Sequence, residues 1–184
     1  MAGRSSLREF QVRLSERLRQ AAAAPSQSAR LGVQIGGRSL LVDLSEVGEI
    51  VALPGEITPV PLTHDWFRGL VNLRGSLYGV SDLARFEGHE PTPTTKTTRL
   101  LAFAPRLKLN GAIIVDRMLG LQGTATLTEA DSKETNETPE TKRTSAADRP
   151  PWLGRHWIDA EGRRWTELRL EELAGDERFL AVNR

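Results

Sequence analysis

The chain has 184 residues, 39% of them hydrophobic, with 25 basic and 24 acidic side chains, a net charge of +1 and no cysteine. That length holds one medium domain or two small lobes on a shared core, and the lack of cysteine excludes disulfide staples, thiolate zinc sites and a cysteine nucleophile. A near-zero charge does not suggest a dedicated nucleic-acid binder, and no apolar run approaches the roughly 18 residues of a membrane span.

From the N-terminus, SSLREFQVRLSERLRQAAAA predicts an amphipathic helix. Ser6 and Glu9 have capping-box spacing, and Leu7, Phe10, Leu14, Leu18 and Ala21 form one apolar stripe. Pro25 ends it, and a polar linker completes residues 1–30. After Arg30 the period becomes two. LGVQI and RSLLVDL flank Gly36-Gly37, a pair suited to the positive φ angles of a tight hairpin turn. Pro54-Gly55, Pro59 and Pro61 then interrupt regular pairing.

Phe67 to Leu83, FRGLVNLRGSLYGVSDL, is the most strand-like run, yet Arg74 stands in its middle. A polar loop follows, then RLLAFAP and NGAIIVDRMLGL predict a strand pair turning at Asn110-Gly111. Residues 124–148 have almost no apolar anchors and predict a flexible polar insertion. The tail predicts a strand, a turn at Glu161-Gly162, a second strand and a short helix ending near Gly175. Many short strands with little helix between them favour small β-barrels. Trp66, Gly69, Gly75 and Tyr78 recur loosely as Trp152, Gly154, Gly162 and Trp165, an internal echo that suggests two of them.

Chemistry-bearing motifs are missing. His64, His89 and His156 are scattered, with no HExxH pair, phosphate loop or GxSxG elbow. Asp43, Asp82 and Asp116 stand near strand ends, where acids usually satisfy turn amides or pair with arginines, although two of them could converge as a catalytic pair. Arg155, Arg163 and Arg164 near Trp152, Trp157 and Trp165 give the alternative of a small β-barrel nucleic-acid-binding protein. Neither a cofactor nor a metal site is expected.

VDLSEVGEI, ITPVP and FRGLVNLRGSLYGVSDL, in that order and spacing, resemble the CheW-like adaptors of bacterial chemosensory arrays. GAIIVDRMLGLQ is similar to a further strand block of that family, and the tail is most like its PilI-type branch, found with type IV pilus twitching systems. The resemblance implies a mainly β fold of two SH3-like five-stranded barrels sharing a hydrophobic junction. With the elements above, it gives a single domain over 31–123 and 149–184. It implies a non-enzymatic adaptor, cytoplasmic and recruited to membrane-associated arrays without inserting into the membrane. Its partners would be a chemoreceptor's cytoplasmic tip and the regulatory domain of a CheA-type histidine kinase, with no nucleic acid. Receptor contacts carry over to Asn72 and Arg74, with Leu73 and Gly75 shaping the turn, and to Val47, Glu49 and Ile50. Where the family commonly has proline, this chain has Gly79.

Overall fold

A computed structural model describes residues 30–123, 126–130 and 149–184. Strands β1 (Arg30–Ile35), β2 (Arg38–Asp43), β8 (Arg117–Gln122), β9 (Thr128–Ala130), β10 (Leu153–Ile158) and β11 (Arg164–Leu168) form one sheet, ordered β8-β1-β2-β11-β10-β9. Strands β3 (Val47–Ala52), β4 (Phe67–Leu73), β5 (Ser76–Ser81), β6 (Arg99–Phe103) and β7 (Gly111–Val115) form the other, ordered β3-β6-β7-β5-β4. Short helices α1 (Leu83–Phe86), α2 (Leu170–Gly175) and α3 (Glu177–Leu180) and two 3-10 turns, Leu44–Glu46 and Pro105–Leu107, complete the described elements. The expected N-terminal helix lies outside the described residues.

The internal echo is a topological repeat. Read from β3 to β4, successive pairings are antiparallel, antiparallel, parallel and antiparallel, and the same series runs from β8 to β10. Trp66 and Trp152 each precede the matching hairpins, Gly69 and Gly154 fall at register shifts, and Gly75 and Gly162 take positive φ in the turns. Among the described strands only β9 has no counterpart. One sheet therefore has six strands rather than the expected five, and the sixth comes from within the stretch predicted to be a flexible insertion. Leu127 explains why these few residues are held: it is buried with Leu41 and Trp165, against Leu119 and Trp157.

The largest apolar cluster is the junction between the sheets. Val33, Ile35, Leu40 and Val42 from one meet Leu101, Phe103, Ile113 and Val115 from the other, with Trp66, Trp152 and Phe179 between them. Phe86 bridges the two tryptophans, its ring centroid 5.0 Å from Trp66 and 5.6 Å from Trp152. A smaller cluster of Val71, Val80, Leu100, Ala102, Ala112 and Ile114 belongs to the five-stranded sheet alone.

Gly36 and Gly37 turn the first hairpin with φ of +55° and +76°, as their sequence predicts. The Asn110-Gly111 expectation is corrected. Pro105–Leu107 form a 3-10 turn and Lys108, at φ +55°, reverses the chain, while Gly111 already belongs to β7. Gly79 sits where proline would fail, because its amide donates to the Asn110 carbonyl at 2.9 Å.

Glu46 ties the sheets together. Arg169 precedes α2 without a side-chain cap, and the buried Glu46 Oε2 accepts from the Leu170 amide at 2.7 Å instead. Burial pushes this carboxyl above its ordinary value of 4.5, against the lowering pull of the Leu170 and Glu171 amides and of Arg106. The ionised form is thus costlier in the folded chain than in the unfolded one. Its contribution to stability falls as pH rises from 4.5 through the folded pKa. Glu46→Ala, which orphans the helix amide, should cost about 1–3 kcal/mol. Glu46→Gln keeps an acceptor without the charge. In urea titrations its stability relative to the parent should grow as pH rises above 4.5, and a pH-independent difference would contradict this account.

Candidate functional site

Arg74 lies at the tip of the β4–β5 hairpin. Leu73 pairs with Ser76, so Arg74 and Gly75 alone make the turn, with φ of +50° and +90°. These are type I′ values, for which asparagine-glycine is the usual pair. The Asn72 Oδ1 accepts from the Gly75 amide at 2.7 Å and clamps the turn from below. The Arg74 side chain is 84% exposed, so the buried-strand pattern around it stops short of the turn.

Glu49 reaches this tip from the far end of the sheet. Between Val47 and Ile50 the register of β3 against β6 shifts, and Gly48 and Glu49 occupy the bulge. Gly48 lies so close to β6 that a Cβ there would come within 2.6 Å of the Phe103 carbonyl oxygen. Glu49 Oε1 lies 3.0 Å from Arg74 Nη2, with the carboxylate side chain 31% exposed. Since β3 and β4 are the two outer strands of the five, this ion pair shows the sheet curling until its edges meet. A second closure supports it: Thr58, just beyond β3, exchanges hydrogen bonds of 2.9 and 2.8 Å with Leu70 of β4.

The seven residues singled out from the sequence thus separate. Arg74, Glu49, Asn72 and Gly75 are brought together at one tip, and Ile50 beside Glu49 is 39% exposed. Leu73 is partly buried on the cluster of the five-stranded sheet, and Val47 packs on the junction, so both support the surface from beneath. Sequence reading missed Leu77. It is 59% exposed and lies directly across from Asn72, in an outward register that alternation along β5 could have signalled.

Energetics say what the pair does not do. An exposed ion pair contributes about 0.2–1 kcal/mol, whereas a non-glycine residue in the left-handed region costs roughly 1–2 kcal/mol. Arg74 therefore does not raise the stability of its own turn.

The other candidates serve local structure. Asp43 accepts from the Ser45 amide at 2.8 Å, and the fully buried Asp82 accepts from both the amide and the hydroxyl of Thr92 at 2.8 Å. Asp116 stands at the crossing between β7 and β8 and accepts from the Gly37 amide at 3.4 Å. Among the described residues no group of His, Asp and Glu could hold a metal ion. Trp152 and Trp165 are buried, which removes two of the stacking platforms a nucleic-acid surface would need.

A family model described as the CheW-like domain matches residues 30–177. Protein PilI of Pseudomonas aeruginosa is 33% identical over 118 residues, which are 60% of this chain and 65% of that protein, so the match spans less than two thirds of its length. The crystal structure of the scaffolding protein TtCheW from Thermoanaerobacter tengcongensis aligns with a TM-score of 0.55 at 15% identity, covering 77% of this chain and 88% of that chain. This last likeness speaks for the fold.

Proposed function

We propose that this chain, which belongs to the CheW-like domain family, couples a chemoreceptor's cytoplasmic tip to the regulatory domain of a CheA-type histidine kinase in a pilus-linked pathway. The family is one of non-enzymatic scaffolds, so the work is done by binding geometry. A receptor whose conformations differ in affinity for the adaptor biases the kinase held in the same assembly. Residues 31–123 and 149–184 act as one unit in this reading.

The observation that carries it is the tip itself. Arg74 stands almost fully exposed on a rigid turn, held in a backbone conformation that its own fold would fill better with asparagine. Asn72, Gly75 and Leu73 shape the turn, Glu49 aims the guanidinium, and Ile50 and Leu77 supply exposed apolar surface. Arginine flanked by apolar side chains is the composition of interface anchors, and its fork can hold carboxylates or carbonyls on a receptor helix.

Co-sedimentation of the purified chain with a receptor-tip fragment, and separately with a kinase regulatory domain, should retain both. Retention of neither overturns the adaptor reading, and a salt-dependent mobility shift of single-stranded DNA would favour the nucleic-acid alternative.

A further inference from the structure

The strand without a counterpart in the repeat, β9, borders the other polar feature of the molecule. Glu129 and Ala130 of β9, with Arg149, Arg155 and Arg169, line an open cleft of about 310 Å³ on the six-stranded sheet. This sheet does not carry the Arg74 tip.

Among the described residues the charges in and behind this cleft do not balance. Arg155 pairs with Glu129 at 3.1 Å, and Arg169 lies 3.4 Å from Glu167, which is already held by Arg30 at 2.6 Å. Arg149 makes a hydrogen bond of 3.3 Å to the Gly154 carbonyl and has no ion pair among the described residues. Among the described residues four guanidiniums thus face two carboxylates. Two of these guanidiniums, Arg30 and Arg169, act on the Glu167 carboxyl. Burial pushes it up, yet the hydrogen bonds and charges of Arg30, the Arg155 amide and Arg169 hold it below its ordinary value.

The three ion pairs here already show guanidinium meeting carboxylate. Beside them β9, three residues long, ends the strand order, and its outer side has no strand partner among the described residues. A sheet edge takes an extended chain by main-chain hydrogen bonds, with side chains of the added strand falling into neighbouring clefts. We propose that this cleft is a second docking site, which binds an extended acidic segment of a protein partner along β9 with a glutamate or aspartate carboxylate held by Arg149 and Arg155.

The probe is a fluorescein-labelled peptide of alternating glutamate and threonine, titrated with the full chain by fluorescence anisotropy at low salt. Saturable binding should weaken about tenfold or more in Arg149→Glu and in Arg155→Glu, both judged folded by their near-ultraviolet tryptophan spectra. Raising the salt should weaken it further, and an alternating lysine-threonine peptide should not bind. Arg74→Glu should leave this affinity unchanged, so the result stands or falls apart from the receptor reading. Equal affinity in parent, Arg149→Glu and Arg155→Glu overturns the proposal. So does full displacement of the peptide by equimolar inorganic phosphate, which would make the cleft a phosphate site.

Discussion

Arg74→Glu should abolish retention by a receptor-tip fragment while leaving the fold intact. The side chain is exposed and its one ion pair among the described residues is with Glu49, so its loss removes at most about 1 kcal/mol of pair energy. Charge reversal sets two carboxylates side by side on the surface, where solvent and salt screen the repulsion. The melting temperature should therefore move by only a few degrees. Binding is different, because an arginine anchor at an interface is worth about 2 kcal/mol or more, a loss of at least roughly thirtyfold. Two further variants separate causes. Arg74→Asn suits the left-handed position and should stabilise the hairpin by up to about 1 kcal/mol, yet it too should fail to bind. The exchange Arg74→Glu with Glu49→Arg restores the internal pair and should still not restore retention. Wild-type retention of Arg74→Glu would remove this residue from the site.

Gly69→Ala should be the most damaging single methyl in the described chain. Gly69 takes φ +125°, and a Cβ there would lie 2.1 Å from the Thr58 carbonyl oxygen and 2.7 Å from its carbon. Backbone, not a flexible side chain, is in the way. The two hydrogen bonds between Thr58 and Leu70 must then break, each worth about 0.5–1.5 kcal/mol, on top of about 1–3 kcal/mol for alanine in a glycine-only conformation. A total near 4 kcal/mol corresponds to a fall of about 10 °C or more in melting temperature, or to failure to fold. Where the variant still folds in the cold, the edges of the five-stranded sheet separate and receptor retention should drop although Arg74 is untouched. A melting temperature within about 2 °C of the parent would mean that this closure carries no weight.

Local chemistry made much of this legible in the sequence. Paired glycines announce the first hairpin, and the glycine after Arg74 marks a turn that only two residues make. The repeated tryptophans and glycines point to two similar units because each repeat needs the same bulge and the same turn. What stayed hidden depends on distance. Nothing near Glu49 in the chain announces Arg74 as its partner, since a bulge and the curl of a whole sheet bring them together. Asn110-Gly111 misled because a 3-10 turn and a left-handed lysine made the reversal first. The strand at Thr128–Ala130 is polar in sequence and owes its place to one buried leucine and to its pairing with β10.

The nesting of the two sheets also sets an order of assembly. The five-stranded sheet is built from residues between Val47 and Val115, enclosed within the chain of the other, whose β2 pairs Leu40 with Thr166. During synthesis the inner sheet can close as soon as its own strands have emerged. The first hairpin must wait, with the edge of β2 unpaired and Leu41 without its Trp165 neighbour, until β11 arrives to lie parallel to it. Pairings of such sequence separation close slowly and leave apolar strands exposed meanwhile. The Arg74 tip is therefore an early product of folding, whereas the arginine cleft comes into being only when the last hairpin docks.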